Sequence, residues 1–296
     1  MKTTILTYLS AAILTAGILS AQGLHREVKR TDEKEVRVRM ESSFGSVNIS
    51  KGGKDKIVTV SYKKKERSDE AKLDLRYTVN RGVGDLQLEM HPEGTEVNSE
   101  GEESGMRINA NVNFKTDEWY VGLVEGIPLS IDAELGAGKS NFDLSGLTVN
   151  DLTISTGASS SRLSFDEMNA GEIKTLRIES GVSKFVADNL NNANFRRMEF
   201  DGGVGSYILD FGGELKREVK VDINVGLGSL NIIVPRKVGL RIKYEDSWLS
   251  NLSLDDEEFI RKRKGIYESQ NYAEAEGKMD VYIESGLGSV KIKRSK

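Results

Sequence analysis

Residues 221–234 read VDINVGLGSLNIIV, and this stretch decides the fold. Its apolar residues stand at odd numbers, Val221, Ile223, Val225 and Leu227, and then at even ones, Leu230, Ile232 and Val234. Strand side chains alternate faces with period two, so a change of parity needs a bulge or corner if both halves are to face one core. Gly228 stands at the slip. The pattern occurs five times between Ser130 and Val234, centred on Ala137, Ala158, Val182, Val204 and Leu227, in steps of 21, 24, 22 and 23 residues. A period in the twenties marks a solenoid, in which one turn of chain buries its apolar face only against its neighbours. The expected fold is all-β: a single-stranded parallel β-helix (solenoid) with coils of about 22 residues, each coil two strands joined at a glycine-rich corner.

Two other readings of the stretch fail. Ile173, Leu176, Ile178 and Gly181 are spaced like the start of a leucine-rich repeat, but that repeat carries a polar ladder residue where Gly181 stands, and the following half alternates like another strand. GAGKS, Gly136 to Ser140, resembles the end of a phosphate-binding loop, yet the position of that loop's first glycine is Ala133. The sister copies GASSS, GVSKF, GVGSY and GLGSL keep the frame without the Lys139–Ser140 pair, so it reads as a structural corner.

Outward from the repeats, residues 1–23 place Lys2 before an apolar run of about 17 residues and then small residues, the layout of a secretory signal peptide. Residues 24–125 carry the corner motif twice more, around Gly45 and Gly84, and are expected to form a less regular N-terminal β cap. Within them, Lys63 to Lys72 reads as a charged link and His91 to Gly105 as an acidic loop without periodicity. Residues 126–296 are the solenoid, interrupted at 246–278 by a loop or helical insertion in which Asp255 to Glu258 would face Arg261 to Lys264 across a helical turn. A last copy of the motif surrounds Gly288.

Composition narrows the function. The chain has 30 glycines, three prolines and no cysteine, which suits a β protein with tight corners and excludes disulfides, a thiol nucleophile and a lipid-modified cysteine. A net charge of −4 with both signs interspersed gives no electrostatic footprint for nucleic acid. The small basic groups at Lys63 to Lys65 and Lys291 to Lys296 read as solvated edges and a terminal tail. His25 lies beside the expected cleavage site and His91 in a loop, so no paired histidines serve a metal or a general base; no serine sits in a G-x-S-x-G elbow, and the chain reads as a non-enzyme without cofactors.

One candidate metal site is visible. Asp143, Asp166, Asp188 and Asp210 recur once per coil. Either each caps its own turn through a side-chain to backbone hydrogen bond, or together they line one edge and take a divalent cation that relieves their repulsion.

With these motifs in hand the chain can be compared with a known family. IPLSIDAELGAGKSNFDLSGLTVNDLTISTGAS, Ile127 to Ser159, preceded by Glu118 and Trp119, resembles the join between the N-terminal and solenoid parts of the toast-rack family, and GIYESQNYAEAEGKMDVYIESGLGSVKI is similar to that family's C-terminal rung. The resemblance implies a bacterial β-solenoid related to the soluble domain of LiaF-like proteins of the cell-wall-active-antibiotic response and to adhesin-head-like solenoids. It departs from the LiaF-like pattern in having a signal peptide in place of several membrane spans. The expected role is a non-catalytic extracytoplasmic module, periplasmic, cell-surface or secreted, with no stable membrane span after signal cleavage. It would present a surface to a protein or glycan of the cell envelope, the alternatives being a regulatory module of an envelope stress response and, by analogy of fold, a glycan-processing enzyme.

Overall fold

The computed structural model describes residues 24–63, 71–91, 118–245, 250–254 and 257–295. The signal peptide, most of the expected charged link and acidic loop, and Asp255 and Asp256 of the insertion lie outside the described residues. The N-terminal region contributes β1 (His25–Lys29), β2 (Glu35–Gly53), β3 (Lys56–Lys63), β4 (Lys72–Asn80), β5 (Val83–His91) and β6 (Glu118–Val124). The body follows as β7 (Pro128–Asp143), β8 (Thr148–Ser164), β9 (Ile173–Asp188), β10 (Phe195–Asp210) and β11 (Glu218–Pro235). The chain closes with β12 (Gly239–Glu245), β13 (Ser250–Ser253), β14 (Phe259–Arg263), β15 (Ile266–Ser269) and β16 (Lys278–Ser295). Apart from one 3-10 turn, Leu190–Ala193, these strands join in a single mixed sheet with a solenoid-like arrangement.

The long strands β2, β7, β8, β9, β10, β11 and β16 pair in that order, all parallel. Each runs through its glycine corner without a break, so one ladder stacks like on like. Met40, Ala133, Ile154, Ile178, Phe200, Ile223 and Ile283 form one buried row before the corner. Beyond it, Ile49, Phe142, Leu163, Ala187, Leu209, Ile232 and Ile292 form another. Rings interlock inside, Phe200 lying 5.9 Å from Phe185 and 5.2 Å from Tyr207, both edge to face. Each coil's apolar faces are thus covered by the coils on either side, which is why the periodicity had to persist along the chain.

Both ends of this ladder are covered piecewise. The outer edge of β2 is taken by β5 before its corner and by β6 after it. The outer edge of β16 is taken likewise by β12 and β13. Antiparallel strands then follow: β4 on β5, β3 and β1 beyond β6, and β15 and β14 beyond β12.

Four expectations are corrected. The inward series 221, 223, 225 stops at Val225, because the chain rounds the corner on the outside over the next four residues; Leu227 is 44% exposed. Around Gly84 there is a hairpin instead of a corner, with Asn80 opposite Val83 and a two-residue turn whose Arg81 and Gly82 both have positive φ, 53° and 79°. Such a turn matches the twist of the strands it joins. The insertion is β rather than helical: Glu258 pairs at 2.7 Å with Arg236, in the turn after β11, and Lys262 at 3.2 Å with Glu268 on β15, so the acidic and basic groups find partners elsewhere instead of across a helical turn. Arg294 is not a solvated tail residue. Its Nη2 donates to the carbonyls of Val238 at 2.6 Å and Arg236 at 3.0 Å, its guanidinium lies 5.9 Å from the Phe259 ring, and burial pushes its pKa down to about 10.

Candidate functional site

The corner itself makes the most distinctive surface. At its first position stand Ser43, Gly136, Gly157, Gly181, Gly203, Gly226 and Gly286, one per coil. A Cβ on Gly136 would meet the Ser43 carbonyl oxygen at 2.4 Å, and one on Gly157 the Gly136 oxygen at 2.6 Å; the same clash with the preceding coil recurs up to Gly286. Close approach of successive coils therefore requires glycine here, and from Gly136 onward the file of glycines leaves a trough floor without side chains, Ser43 standing at its β2 end. The trough has a volume of about 670 Å³ over β2 to β10.

One wall carries a single sign of charge. Two residues before the corner, Glu41, Glu134, Ser155, Glu179, Asp201, Asn224 and Glu284 pair across the strands in register, and Glu89 and Glu245 extend the row at its two ends. Among the described residues Glu41, Glu134, Glu179 and Glu284 have no ion-pair partner, while Asp201 accepts a hydrogen bond from Asn224 Nδ2 at 2.9 Å. Neighbouring positions on the same face behave differently. There the charges are matched across strands, Arg177 with Glu199 at 2.8 Å, Arg197 with Asp222 at 2.6 Å and Arg241 with Asp280 at 3.5 Å.

An apolar row follows the glycines directly and borders the trough, outside the residues that line its volume. One residue past the glycines stand Phe44, Ala137, Ala158, Val182, Val204, Leu227 and Leu287. Val182 is 65% exposed and Phe44 49%, with Val204, Leu227 and Leu287 above 40%. A file of exposed apolar side chains, interrupted only at the half-buried Ala137, is unusual on a protein surface and marks contact sites. The sequence held a signal for both rows, since the acidic residues recur two positions before the corner, but reading Leu227 and its equivalents as core concealed them.

The four aspartates are not brought into one row. Asp188 and Asp210 stand on neighbouring strands, and burial with the charge of Asp188 pushes the Asp210 carboxyl above its usual range despite the hydrogen bond it accepts from Gly212 N–H at 2.9 Å. Asp143 is in register with Ser164, which separates it from Asp188, and it accepts from Ser145 N–H at 3.2 Å. Asp188 pairs with Arg162 at 2.7 Å. Asp166 lies past the end of β8 and accepts from Asn189 Nδ2 at 3.0 Å.

Away from the corner, the other residues that stood out in the sequence are spread over separate places. Ser140 of the GAGKS stretch is buried and donates to Ser161 Oγ at 2.7 Å, which makes that segment part of the corner packing. His25 lies 2.8 Å from Ser61 Oγ on β3. His91, at the end of β5, stands 3.7 Å from Asp74 and 3.9 Å from Glu89, the three ligand atoms lying within 4.8 Å of one another at a half-exposed edge. Among the described residues no helix is long and apolar enough to cross a membrane.

Among curated proteins nothing matches the chain. Among solved structures it is similar to a candidate cell adhesion protein from Clostridium sporogenes, at 22% identity and TM-score 0.45, covering 93% of this chain and 99% of that one. It is also similar to a candidate adhesin from Bacteroides fragilis, at 13% identity and TM-score 0.34, covering 92% and 98%. A candidate adhesin from Parabacteroides distasonis follows, at 9% identity and TM-score 0.24, covering 93% and 97%. Two family profiles divide the chain. Residues 187–292 match that described as "Cell wall-active antibiotics response LiaF, C-terminal". Residues 20–187 match "N-terminal domain of toast_rack, DUF2154", and the chain thus belongs to the toast-rack family.

Proposed function

We propose that this chain is a non-catalytic extracytoplasmic module that presents a binding or assembly surface at the bacterial cell envelope, and that the surface is the corner trough. Its body is read as a single-stranded parallel β-helix with coils of about 22 residues. Residues 24–125 form its N-terminal cap and 126–296 its solenoid, behind a signal peptide at 1–23. The observation that carries the reading is the pairing, along one corner, of an exposed apolar row with an acidic row in which Glu41, Glu134 and Glu179 have no ion-pair partner among the described residues. Neither row is required by the packing of the coils, since both point away from the core.

A second reading, a regulatory module of an envelope stress response, draws on the match of residues 187–292 to the LiaF C-terminal profile. It uses the same surface on a membrane-protein partner. Both readings are tested by crosslinking the purified chain to native envelope fractions, beside a Val182→Ser/Val204→Ser/Leu227→Ser variant of equal thermal stability. Capture that the variant loses supports the surface; capture unchanged in the variant, or shortening of an envelope glycan by the chain, overturns it.

A further inference from the structure

Resting on that reading of the trough, we infer that its occupant is a cationic polypeptide segment of another envelope protein, with lysines or arginines along one side and apolar residues along the other. The two walls make this demand together. From Glu41 to Asp201 the acidic row crosses β2, β7, β8, β9 and β10. Four strand spacings of about 4.8 Å make that roughly 19 Å, the length of about six residues of extended chain. Like charges opposite one another on adjacent strands destabilise a sheet, and the chain avoids this on the same face by pairing Arg177 with Glu199 and Arg197 with Asp222. In the acidic row it does not. A cationic occupant supplies the missing countercharge and adds steering at low ionic strength.

The apolar lip separates this occupant from other cations. A metal ion or a polyamine answers Glu134 and Glu179 but leaves Val182, Val204 and Leu227 in water. A neutral glycan answers neither wall: sugar faces stack on aromatic rings, and only Phe44 among the seven lip residues is aromatic. A second copy of this chain docking through the same corner by a two-fold contact would set each acidic row against an acidic or an apolar row, and neither supplies a countercharge. The glycine floor suits a backbone in particular, since it lets another main chain approach where side chains would stand.

The test uses the purified chain and three labelled ten-residue peptides, one alternating lysine and leucine, one glutamate and leucine, one lysine and serine. Binding is read by fluorescence anisotropy at 50 mM and 300 mM salt. The lysine–leucine peptide is expected to bind at least tenfold more tightly than either of the others, and to weaken several-fold at the higher salt. Glu134→Gln/Glu179→Gln should weaken it at least tenfold and flatten its salt dependence. Val182→Ser/Leu227→Ser should weaken it at least fivefold with the salt dependence intact. All these changes are on exposed side chains, and each variant is admitted only if its melting temperature matches the parent.

Equal binding of the glutamate peptide, or binding unchanged in both variants, overturns the proposal. So does concentration-dependent self-association in sedimentation that the Val182→Ser/Leu227→Ser variant abolishes, which would make the occupant a second copy. If no peptide binds while envelope capture still depends on the lip residues, the partner chemistry is wrong and the surface stands. If envelope capture ignores the lip, the surface reading fails as well.

Discussion

A Cβ placed on Gly228 would lie 1.9 Å from the carbonyl oxygen of Gly205 in the preceding coil. Gly228 also has a φ of +138°, which side-chain-bearing residues rarely adopt. Two independent constraints, steric and conformational, therefore fall on one position. Gly228→Val should cost on the order of 4 kcal/mol or more, the scale of a combined overpacking and backbone-strain defect. The check is thermal unfolding followed by far-ultraviolet circular dichroism; an unchanged midpoint would mean that the corner can rearrange.

The lip and the core make opposite predictions for similar side chains two positions or more apart. Leu227→Ser should change stability by no more than about 0.5 kcal/mol, as expected of an exposed site. Ile223→Ala, four residues earlier and fully buried, should cost about 2–5 kcal/mol through lost burial and the cavity left behind. Denaturant titration of the two variants in parallel separates them.

Glu33 gives a pH dependence. Burial alone would raise its pKa, but hydrogen bonds from Tyr77 Oη at 2.7 Å, and from Thr31 N–H at 2.8 Å and Thr31 Oγ1 at 2.9 Å, outweigh it and hold the carboxyl below its usual range. A carboxyl depressed in the folded state contributes stability at pH values above its unfolded pKa, and that stability is lost as pH falls through the folded value. Wild type should weaken as the pH drops below about 4.5, while Glu33→Gln, less stable at neutral pH by about 1–3 kcal/mol, should lose less over the same interval. Parallel slopes would show that the bonds to Glu33 do not survive in solution.

For the aspartates, the partners seen in the structure predict indifference to calcium. Millimolar calcium against chelator should leave the melting temperature of the wild type and of Asp188→Asn where it was. A rise of several degrees in the wild type, absent from Asp188→Asn, would place a cation beside Asp188 and Asp210.

Much of the fold was legible because packing and sequence share one period here. The change of parity around Gly228 and the spacing from Ala137 to Leu227 anticipated which residues face each other across β7 to β11. Direction was harder. Leu227 is apolar and follows the alternation of Val221, Ile223 and Val225, so hydropathy alone assigns it to the core; what turns it outward is the path of the backbone over Gly226 to Ser229. The stretch around Gly84 is ambiguous in a related way, because a parity slip there looks the same whether the chain turns a corner or reverses in a hairpin. In the insertion, charges four apart fit a helix, whereas Glu258 answers Arg236 in the turn after β11 and Lys262 answers Glu268 on β15. For the trough, each acidic residue read singly is an ordinary solvated side chain; only the register sets Glu134 in line with Glu41 and Glu179.

The divided covering of β2 by β5 and β6, and of β16 by β12 and β13, bears on what the protein does not become. A stack of identical parallel rungs with a bare rim is a seed: each rim offers unsatisfied amide and carbonyl groups to the next chain, and polymerisation into fibrils follows the same hydrogen bonds that fold the monomer. Two short strands in place of one full rung break the corner's continuity, and in most places the next strand runs the opposite way. The rim then no longer copies itself. A chain built by repetition is in this way kept from repeating beyond its own length.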